Sequence, residues 1–300
     1  MNNWDVWYAC ETDSKYILTL IQLYMIGETL HQYLAAQCHT ITELLPLIHK
    51  KADEKAVHKL RVSVKKARAC LQLARQLTGH GFNGKKYVQL LKVLHQAAGA
   101  LRDLHLQQAY LQHYTKSKRA HYRGYHLLLQ QHCQLAARQA QAIAGTFPLA
   151  FIKELPGRLE KKLDHHAASR KDLSAYLQEQ YAAITIPAGN VPAEKWHDLR
   201  KQVKRLHYQL EIVQPCFSRQ QQPPLEAMLR FTGEAGSRLG DWHDLLAFRQ
   251  FMKDNVQLMR REKINVPAGT DQLLLAVTGD IRKQLQQCRQ WLQQRPAIEW

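Results

Sequence analysis

Positively charged residues at helical spacing mark the segment VHKLRVSVKKARACLQLARQL (57–77). No acid is interspersed among its cationic and histidine side chains, which are His58, Lys59, Arg61, Lys65, Lys66, Arg68 and Arg75. Like charges three or four residues apart on a helix repel by roughly 0.2–0.5 kcal/mol per pair. An unpaired row of this kind indicates that its counter-charges come from outside the helix.

The geometry of a helix shows what such a row could bind. At 100° per residue, four of these side chains share an arc of about 80° over roughly 15 Å of helix: His58, Arg61, Lys65 and Arg68. The opposite side is apolar and is expected to face a core, with Leu60, Val64, Ala67 and Leu71. A line of guanidinium and ammonium groups, with a histidine N–H as an added donor, matches a run of evenly spaced phosphates.

The same pattern occurs a second time. HKLRVSVKKAR from His58 matches HDLRKQVKRLH from His197, and LRDLH (101–105) matches LGDWH (239–243). The second row consists of His197, Arg200, Lys201, Lys204, Arg205, His207 and Tyr208. His58 lies 45 residues before Asp103, and His197 lies 44 residues before Asp241. We infer a duplicated four-helix unit with repeats at 14–146 and 147–296, whose two rows would form one cationic groove.

Asp103 has two possible roles. Its carboxylate could orient His58 or an arginine through a charge-assisted hydrogen bond. Alternatively, it belongs to a buried structural pair that holds the third helix to the second. The matching Asp241 favours a fixed role without deciding between them.

The charge balance indicates an anionic partner. The 300-residue chain has 42 Lys and Arg against 25 Asp and Glu, a net charge of +17. From Lys55 to Lys153 there are 17 Lys and Arg and one carboxylate, Asp103. A directed basic surface for a polyanion explains this asymmetry better than a general solubilising charge.

Other features indicate a cytoplasmic protein. The six cysteines are far apart with no C-x-x-C pair, which is typical of free thiols in a reducing compartment. The apolar run near 17–26 is too short and too polar for a membrane span or signal anchor.

The pattern of apolar residues and helix breakers predicts an all-α fold. The predicted helical segments are 14–37, 53–77, 84–114, 117–144, a broken 149–184, 193–213, 224–258 and 270–294.

At these residues the chain resembles the CHAD family of histidine-bearing α-helical domains. The resemblance rests on the two motifs of the repeat, each followed by an Asp-containing segment: His58-x-x-Arg61-x-x-x-Lys65-Lys66-x-Arg68 with Leu101-Arg102-Asp103, and His197-x-x-Arg200-x-x-x-Lys204-Arg205-x-x-Tyr208 with Leu239-Gly240-Asp241. It covers about 14–295.

The resemblance implies two four-helix bundles related by internal symmetry. It also implies that a basic surface at their junction binds inorganic polyphosphate, without catalysis, and that the protein associates with polyphosphate granules. The polyphosphate ligands carried over from the resemblance are His58, Arg61, Lys65, Lys66, Arg68 and Arg102 in the first repeat, and His197, Arg200, Lys201, Lys204, Arg205 and His207 in the second. Asp103, Asp241 and Tyr208 are carried over as supporting residues. Two departures stand out: Lys65 and Lys66 occupy positions where the family often has Arg, and His207 replaces a usual Arg, which predicts weaker binding by the second half at neutral pH.

Several rival activities have weaker sequence support. The Gly79–Lys86 segment imitates a P-loop, but a helix precedes it and Lys86 stands where Ser or Thr would bind Mg²⁺. The 164–166 string (DHH), His197-Asp198 and His243-Asp244 resemble parts of metallophosphohydrolase sites, yet the acid-poor first half argues against them. We therefore expect no enzyme activity, metal or cofactor.

Nucleic-acid binding is the main alternative to polyphosphate binding. Basic helices suit phosphate backbones, and five tyrosines could stack on bases or belong to the core: Tyr87, Tyr110, Tyr114, Tyr122 and Tyr125.

Overall fold

The computed structural model describes residues 3–79, 81–82, 84–116, 119–163, 170–189 and 191–298, with the backbone alone for 3–24, 119–120 and 170–172. Every regular element in these ranges is a helix, which confirms the predicted all-α class. None of the helices in the described part of the chain is long and apolar enough to cross a bilayer. The 164–166 string lies outside the described residues.

Nine α-helices form the bundle in the described ranges. In chain order they are α1 (Asn3–Lys50), α2 (Glu54–Leu77), α3 (Lys85–Thr115), α4 (Arg123–Thr146), α5 (Leu149–Leu163), α6 (Arg170–Ala182), α7 (Ala193–Val213), α8 (Gln222–Arg261) and α9 (Thr270–Gln293).

The first helix is longer than its sequence pattern predicted, because it continues past Gln37 and through Pro46 to Lys50. A proline inside a helix costs about 3 kcal/mol. Side chains on both sides of Pro46, including Ile41, Leu45 and Ile48, are at most 1% exposed. Burial of each stabilises the fold by about 1.5–3 kcal/mol, which offsets the interruption.

The helices that carry the two motifs lie side by side. α2 packs against α1 and α3, and α7 packs against α8. α2 also contacts α7, and α3 contacts α8, so the four motif-bearing helices meet in one region. The buried apolar side chains of the described residues form one continuous core that extends through both halves. The division into two repeats at 146/147 stays a prediction.

Candidate anion-binding site

The local sequence of α2 explains how its cations reach the surface. The Asp53 carboxylate caps the helix by accepting hydrogen bonds from the backbone N–H groups of Lys55 and Ala56. The predicted apolar side is buried, with Leu60, Val64, Ala67 and Leu71 at most 3% exposed. Burial of this side leaves the opposite side, which carries the first row of cations, turned toward α3 and α7.

Side chains from four helices enclose one basic pocket of about 460 Å³. α2 contributes Arg61, Lys65, Arg68, Ala69 and Gln72; α3 contributes His95 and Asp103; α7 contributes His197, Arg200, Lys201, Lys204, Arg205 and Tyr208; α8 contributes His243 and Asp244. Seven Lys and Arg therefore face two carboxylates, and both rows predicted from the sequence contribute to the same cavity.

Arg61 occupies its place because the opposing helix has a glycine. A Cβ atom at Gly99 of α3 would lie 2.5 Å from Arg61 Nη1, so any larger residue would displace the guanidinium. Arg61 Nη2 lies 3.5 Å from Asp103 Oδ1, and the Arg61 side chain is 16% exposed. In the second half, Arg200 lies against Gly240 and Lys204 against Gly236.

The contact with Arg61 bears on the two roles considered for Asp103. The carboxylate pairs with Arg61, but its side chain is 58% exposed at the pocket wall. The pair therefore joins α3 to α2 at the pocket surface, and not as a buried structural pair.

Lys65 shows the effect of crowding like charges. Burial, and then the neighbouring cations Arg61, Arg200 and Lys204, lower the pKa of Lys65 to about 8. At the matching position of α7, burial and Arg200 also lower the pKa of Lys204, against the opposing effect of Asp244 and Asp241. Both ammonium groups would be stabilised by an anion in the pocket.

Several buried donors around the pocket have no acceptor. Arg68 Nε and Arg200 Nε are buried without a hydrogen-bond partner in the described structure. Such groups cost about 1–3 kcal/mol each when left unsatisfied, and more when they are charged. An entering anion could accept from donors of this kind on both α2 and α7.

Histidines from three helices line the pocket. The His197 and His243 rings are stacked with centroids 4.8 Å apart, and His243 Nδ1 lies 3.5 Å from Asp244 Oδ1. Burial, followed by Arg61, Lys65 and Arg68, lowers the pKa of His95 to about 4. The His95 imidazole is therefore neutral at pH 7, and its buried Nε2, which has no hydrogen-bond partner in the described structure, offers a ligand a hydrogen bond but no charge.

Five residues that the sequence analysis assigned to the site do not line this pocket. His58 is exposed at the start of α2, and Asp241 is exposed on α8. Lys66 Nζ donates a hydrogen bond to Glu211 Oε1 at 2.8 Å, and Arg102 pairs with Glu54. His207 Nδ1 lies 3.2 Å from Thr232 Oγ1. For Lys66, Arg102 and His207 the physical reason is a polar group on a neighbouring helix, whose position relative to each side chain the periodicity of a single helix does not show.

Three ionisable pocket residues were not among the site residues predicted from the sequence: His95, His243 and Asp244. Helical periodicity contained a signal for Asp244, since it follows Asp241 by three residues and so lies close to it on the same side of α8. His95 precedes Gly99 by one turn and Asp103 by two, so these residues share a side of α3.

A second cavity of about 430 Å³ adjoins the basic pocket and shares Gln72 and Arg205 with it. Its wall includes Gln209, which is 1% exposed and whose Oε1 accepts a hydrogen bond from the Tyr176 hydroxyl at 3.3 Å. The Gln209 Nε2 donor is buried without a partner. The polar surface thus continues beyond the basic pocket along the contact between α2 and α7.

The tyrosines considered for base stacking are occupied within the protein. Tyr87, Tyr122 and Tyr125 are at most 4% exposed. Tyr110 stacks on Phe248 with centroids 5.6 Å apart, and the Tyr114 hydroxyl donates to Asp280 at 2.6 Å. These rings therefore belong to the core or to contacts between helices, which was the alternative to base stacking.

Comparison with solved structures identifies the same fold elsewhere. The CHAD domain from the plant Ricinus communis aligns with a TM-score of 0.69 and 17% identity, over 91% of this chain and 93% of that one. PptA from Streptomyces chartreusis aligns with a TM-score of 0.58 and 18% identity, over 90% and 98% respectively. No curated protein sequence matches.

The family assignment comes from the sequence itself. The CHAD domain model matches residues 32–253, a shorter range than the 14–295 expected from the motifs but well over half of the chain. That range contains both rows of cations and all the residues of the basic pocket. The chain therefore belongs to the CHAD domain family.

Proposed function

We propose that this protein binds inorganic polyphosphate in the basic pocket between α2 and α7 and does not hydrolyse it. The observation that carries the proposal is the convergence of seven Lys and Arg from two helices around one cavity that has only two carboxylates. A linear polyanion satisfies such a cluster because each successive phosphate can contact a different cation.

The basic surface is elongated and suits a chain better than a compact anion. Lys201 lies on an exposed turn of α7, where it also pairs with Asp198 at 2.6 Å. Arg205, one turn further along α7, extends the surface into the second cavity. A polymer can follow this path and displace counterions along its length.

The decisive experiment is a competition titration at one physiological salt concentration. Labelled long-chain polyphosphate bound to the protein is challenged with unlabelled polyphosphate, single-stranded nucleic acid or duplex nucleic acid. We expect polyphosphate to compete at much lower phosphate concentration than either nucleic acid. A preference for nucleic acid would overturn the proposal in favour of phosphate-backbone recognition in general.

Salt dependence tests whether the pocket cations act together. Each phosphate contact on a single-stranded polyanion releases close to one counterion, so a plot of log K against log salt should have a slope steeper than about −3. A flat plot would contradict binding by the cluster. Release of phosphate during incubation with Mg²⁺ or Mn²⁺ would contradict the non-enzymatic part of the proposal.

We further propose that polyphosphate binding directs the protein to polyphosphate granules. A fluorescent fusion should overlap with stained granules, and the overlap should disappear when Arg61 and Lys65 are both replaced by Ala.

A further inference from the structure

A separate cluster of metal-ligating side chains lies between α1 and α5, outside the basic pocket. It consists of Glu28, His31 and Glu160, each of which offers one ligand atom, and these atoms all lie within 4.8 Å of one another. Among the described residues, this is the one group of three or more His, Cys, Asp and Glu side chains with such an arrangement.

The helices explain why the three residues meet. Glu28 and His31 are three residues apart on α1, so their side chains are neighbours on one side of the helix. α1 packs against α5, and a Cβ atom at Gly27 would lie 3.7 Å from Leu163 Cβ, so the two helices approach closely beside the cluster. Glu160 stands one turn before Leu163 on α5.

The local charges are unusual for this protein. The chain has 42 Lys and Arg, yet neither Glu28 nor Glu160 pairs with one of them among the described residues. Glu28 Oε1 accepts a hydrogen bond from Gln32 Nε2 at 2.6 Å, which does not neutralise its charge. Two carboxylates in this position attract a cation, and none of the described Lys or Arg side chains supplies it.

The histidine supplies the second, independent observation. His31 Nδ1 is buried without a hydrogen-bond partner in a side chain that is 25% exposed as a whole, and it lies 3.9 Å from Glu160 Oε1. That separation is too long for a hydrogen bond. The separation is close to the length of two metal–ligand bonds of about 2.0–2.1 Å, so an ion bonded to both atoms could lie between them.

We propose that Glu28, His31 and Glu160 bind a divalent transition-metal ion of the zinc type. One imidazole nitrogen and two carboxylate oxygens are a ligand set that Zn²⁺ accepts, with a water molecule in the fourth position. Ligand atoms around a tetrahedral zinc lie roughly 3.3 Å apart. Small side-chain rotations from the present separations would close the site around the ion.

The ion would join α1 to α5. These helices belong to the parts of the chain that the sequence analysis assigns to different repeats, so the metal would strengthen the contact between them. None of the three residues lines the basic pocket, and the role proposed for the ion is structural. The proposal does not depend on polyphosphate binding.

The test is the effect of zinc on thermal unfolding of the full chain, compared among three proteins. Wild type and Glu43→Gln should each gain about 5 °C in Tm when free Zn²⁺ is a hundredfold above Kd, and Glu160→Gln should lose most of this gain. Glu43 is the matched control, because it lies 3.2 Å from His39 on α1, an exposed His–Glu pair without a third ligand. Both glutamates have side chains more than half exposed, so neither change should impair folding.

Calorimetric titration with Zn²⁺ provides a second measurement that does not rely on unfolding. Wild type and Glu43→Gln should show one tight site per chain that Glu160→Gln lacks, while all three bind polyphosphate equally. The proposal is wrong if wild type shows no zinc-dependent rise in Tm, or if Glu160→Gln retains both the rise and the tight site.

Discussion

The α2 and α7 sides of the basic pocket carry matching residues but use them differently. Arg61 and Lys65 on α2, and Arg200 and Lys204 at the corresponding positions of α7, all line the cavity. At these two positions, the residues that match in the motif also line the same cavity. At the flanking positions the matching side chains of the two helices have different partners, because the helices packed against them carry different residues.

Lys66 and Arg205 illustrate this difference. Lys66 is neutralised by Glu211 of α7 at 2.8 Å, whereas Arg205, at the matching position, lines both cavities. The residue that matches Glu211 in the first half is Gln72, which has no charge. Gln72 therefore does not neutralise Arg205, and the carboxylate that lines the second cavity with Arg205 is Glu179 of α6, with which it forms no ion pair in the described structure.

Arg68 and His207 form a second unequal pair. Arg68 lines the pocket with a buried Nε that has no partner, whereas His207 bonds to Thr232 of α8. Leu94 occupies the matching position on α3 and offers no hydrogen bond. A similar motif on two helices thus provides different sets of ligands, because the opposing side chains differ.

The largest effect on polyphosphate binding is expected at the two motif positions where both helices place cations in the pocket. Replacement of Arg61 and Lys65 by Ala, or of Arg200 and Lys204 by Ala, should each weaken polyphosphate binding by about 100-fold or more, since each pair removes two partly buried charged donors. Fluorescence polarisation with labelled polyphosphate measures the loss.

The charge-matched control for these variants is Arg261→Ala with Lys283→Ala, two exposed cations outside the pocket. It should change affinity by less than about threefold. Equal losses in all three double variants would mean that net charge, and not the pocket, determines binding. A loss confined to one helix would contradict joint use of both rows.

A smaller effect separates Arg68 from His207. Arg68→Gln should reduce polyphosphate affinity by about tenfold at pH 7.5, because one charge-assisted contact is lost. His207→Gln should leave the affinity unchanged, since burial lowers the pKa of His207 and keeps the ring neutral at that pH. If the two variants lose affinity equally, the assignment of His207 to the α8 contact is wrong.

The smallest expected effect is a pH dependence of polyphosphate binding that arises from Lys65 and not from Lys204. As pH rises from 7 to 9 through the Lys65 pKa of about 8, its ammonium group loses a proton and polyphosphate affinity should fall about threefold. A bound polyanion raises that pKa, so binding near pH 8.5 should be accompanied by proton uptake, which calorimetry in buffers of different ionisation enthalpy detects.

The control is the Arg substitution at each position. Lys65→Arg should remove most of the pH dependence, because a guanidinium stays protonated throughout the range. Lys204→Arg should retain it. A pH response that survives Lys65→Arg would assign the titrating group to another residue.

Much of this architecture could be predicted because the relevant signals are local. The spacing of Leu60, Val64 and Ala67 identified the buried side of α2, and the cations on the opposite side follow from the same periodicity. The charge composition also indicated a polyanion as partner, because the charges of the residues can be summed along the sequence without coordinates. The prediction ended α1 at Gln37, and the part of the helix that it missed contains Pro46, a strong local breaker that only packing with other helices outweighs.

The sequence by itself determined the helical class, the two rows of cations and the apolar side of each helix that carries them, since these depend on residues within a few turns of one another. Tertiary structure alone decided which charges remain available to a ligand. Lys66 meets Glu211 from 145 residues away, and Asp244 and His95 enter the pocket on helices other than those that carry the rows. Ion pairing falls off steeply with distance, so the charge that a pocket presents depends on contacts between helices that no single helix encodes.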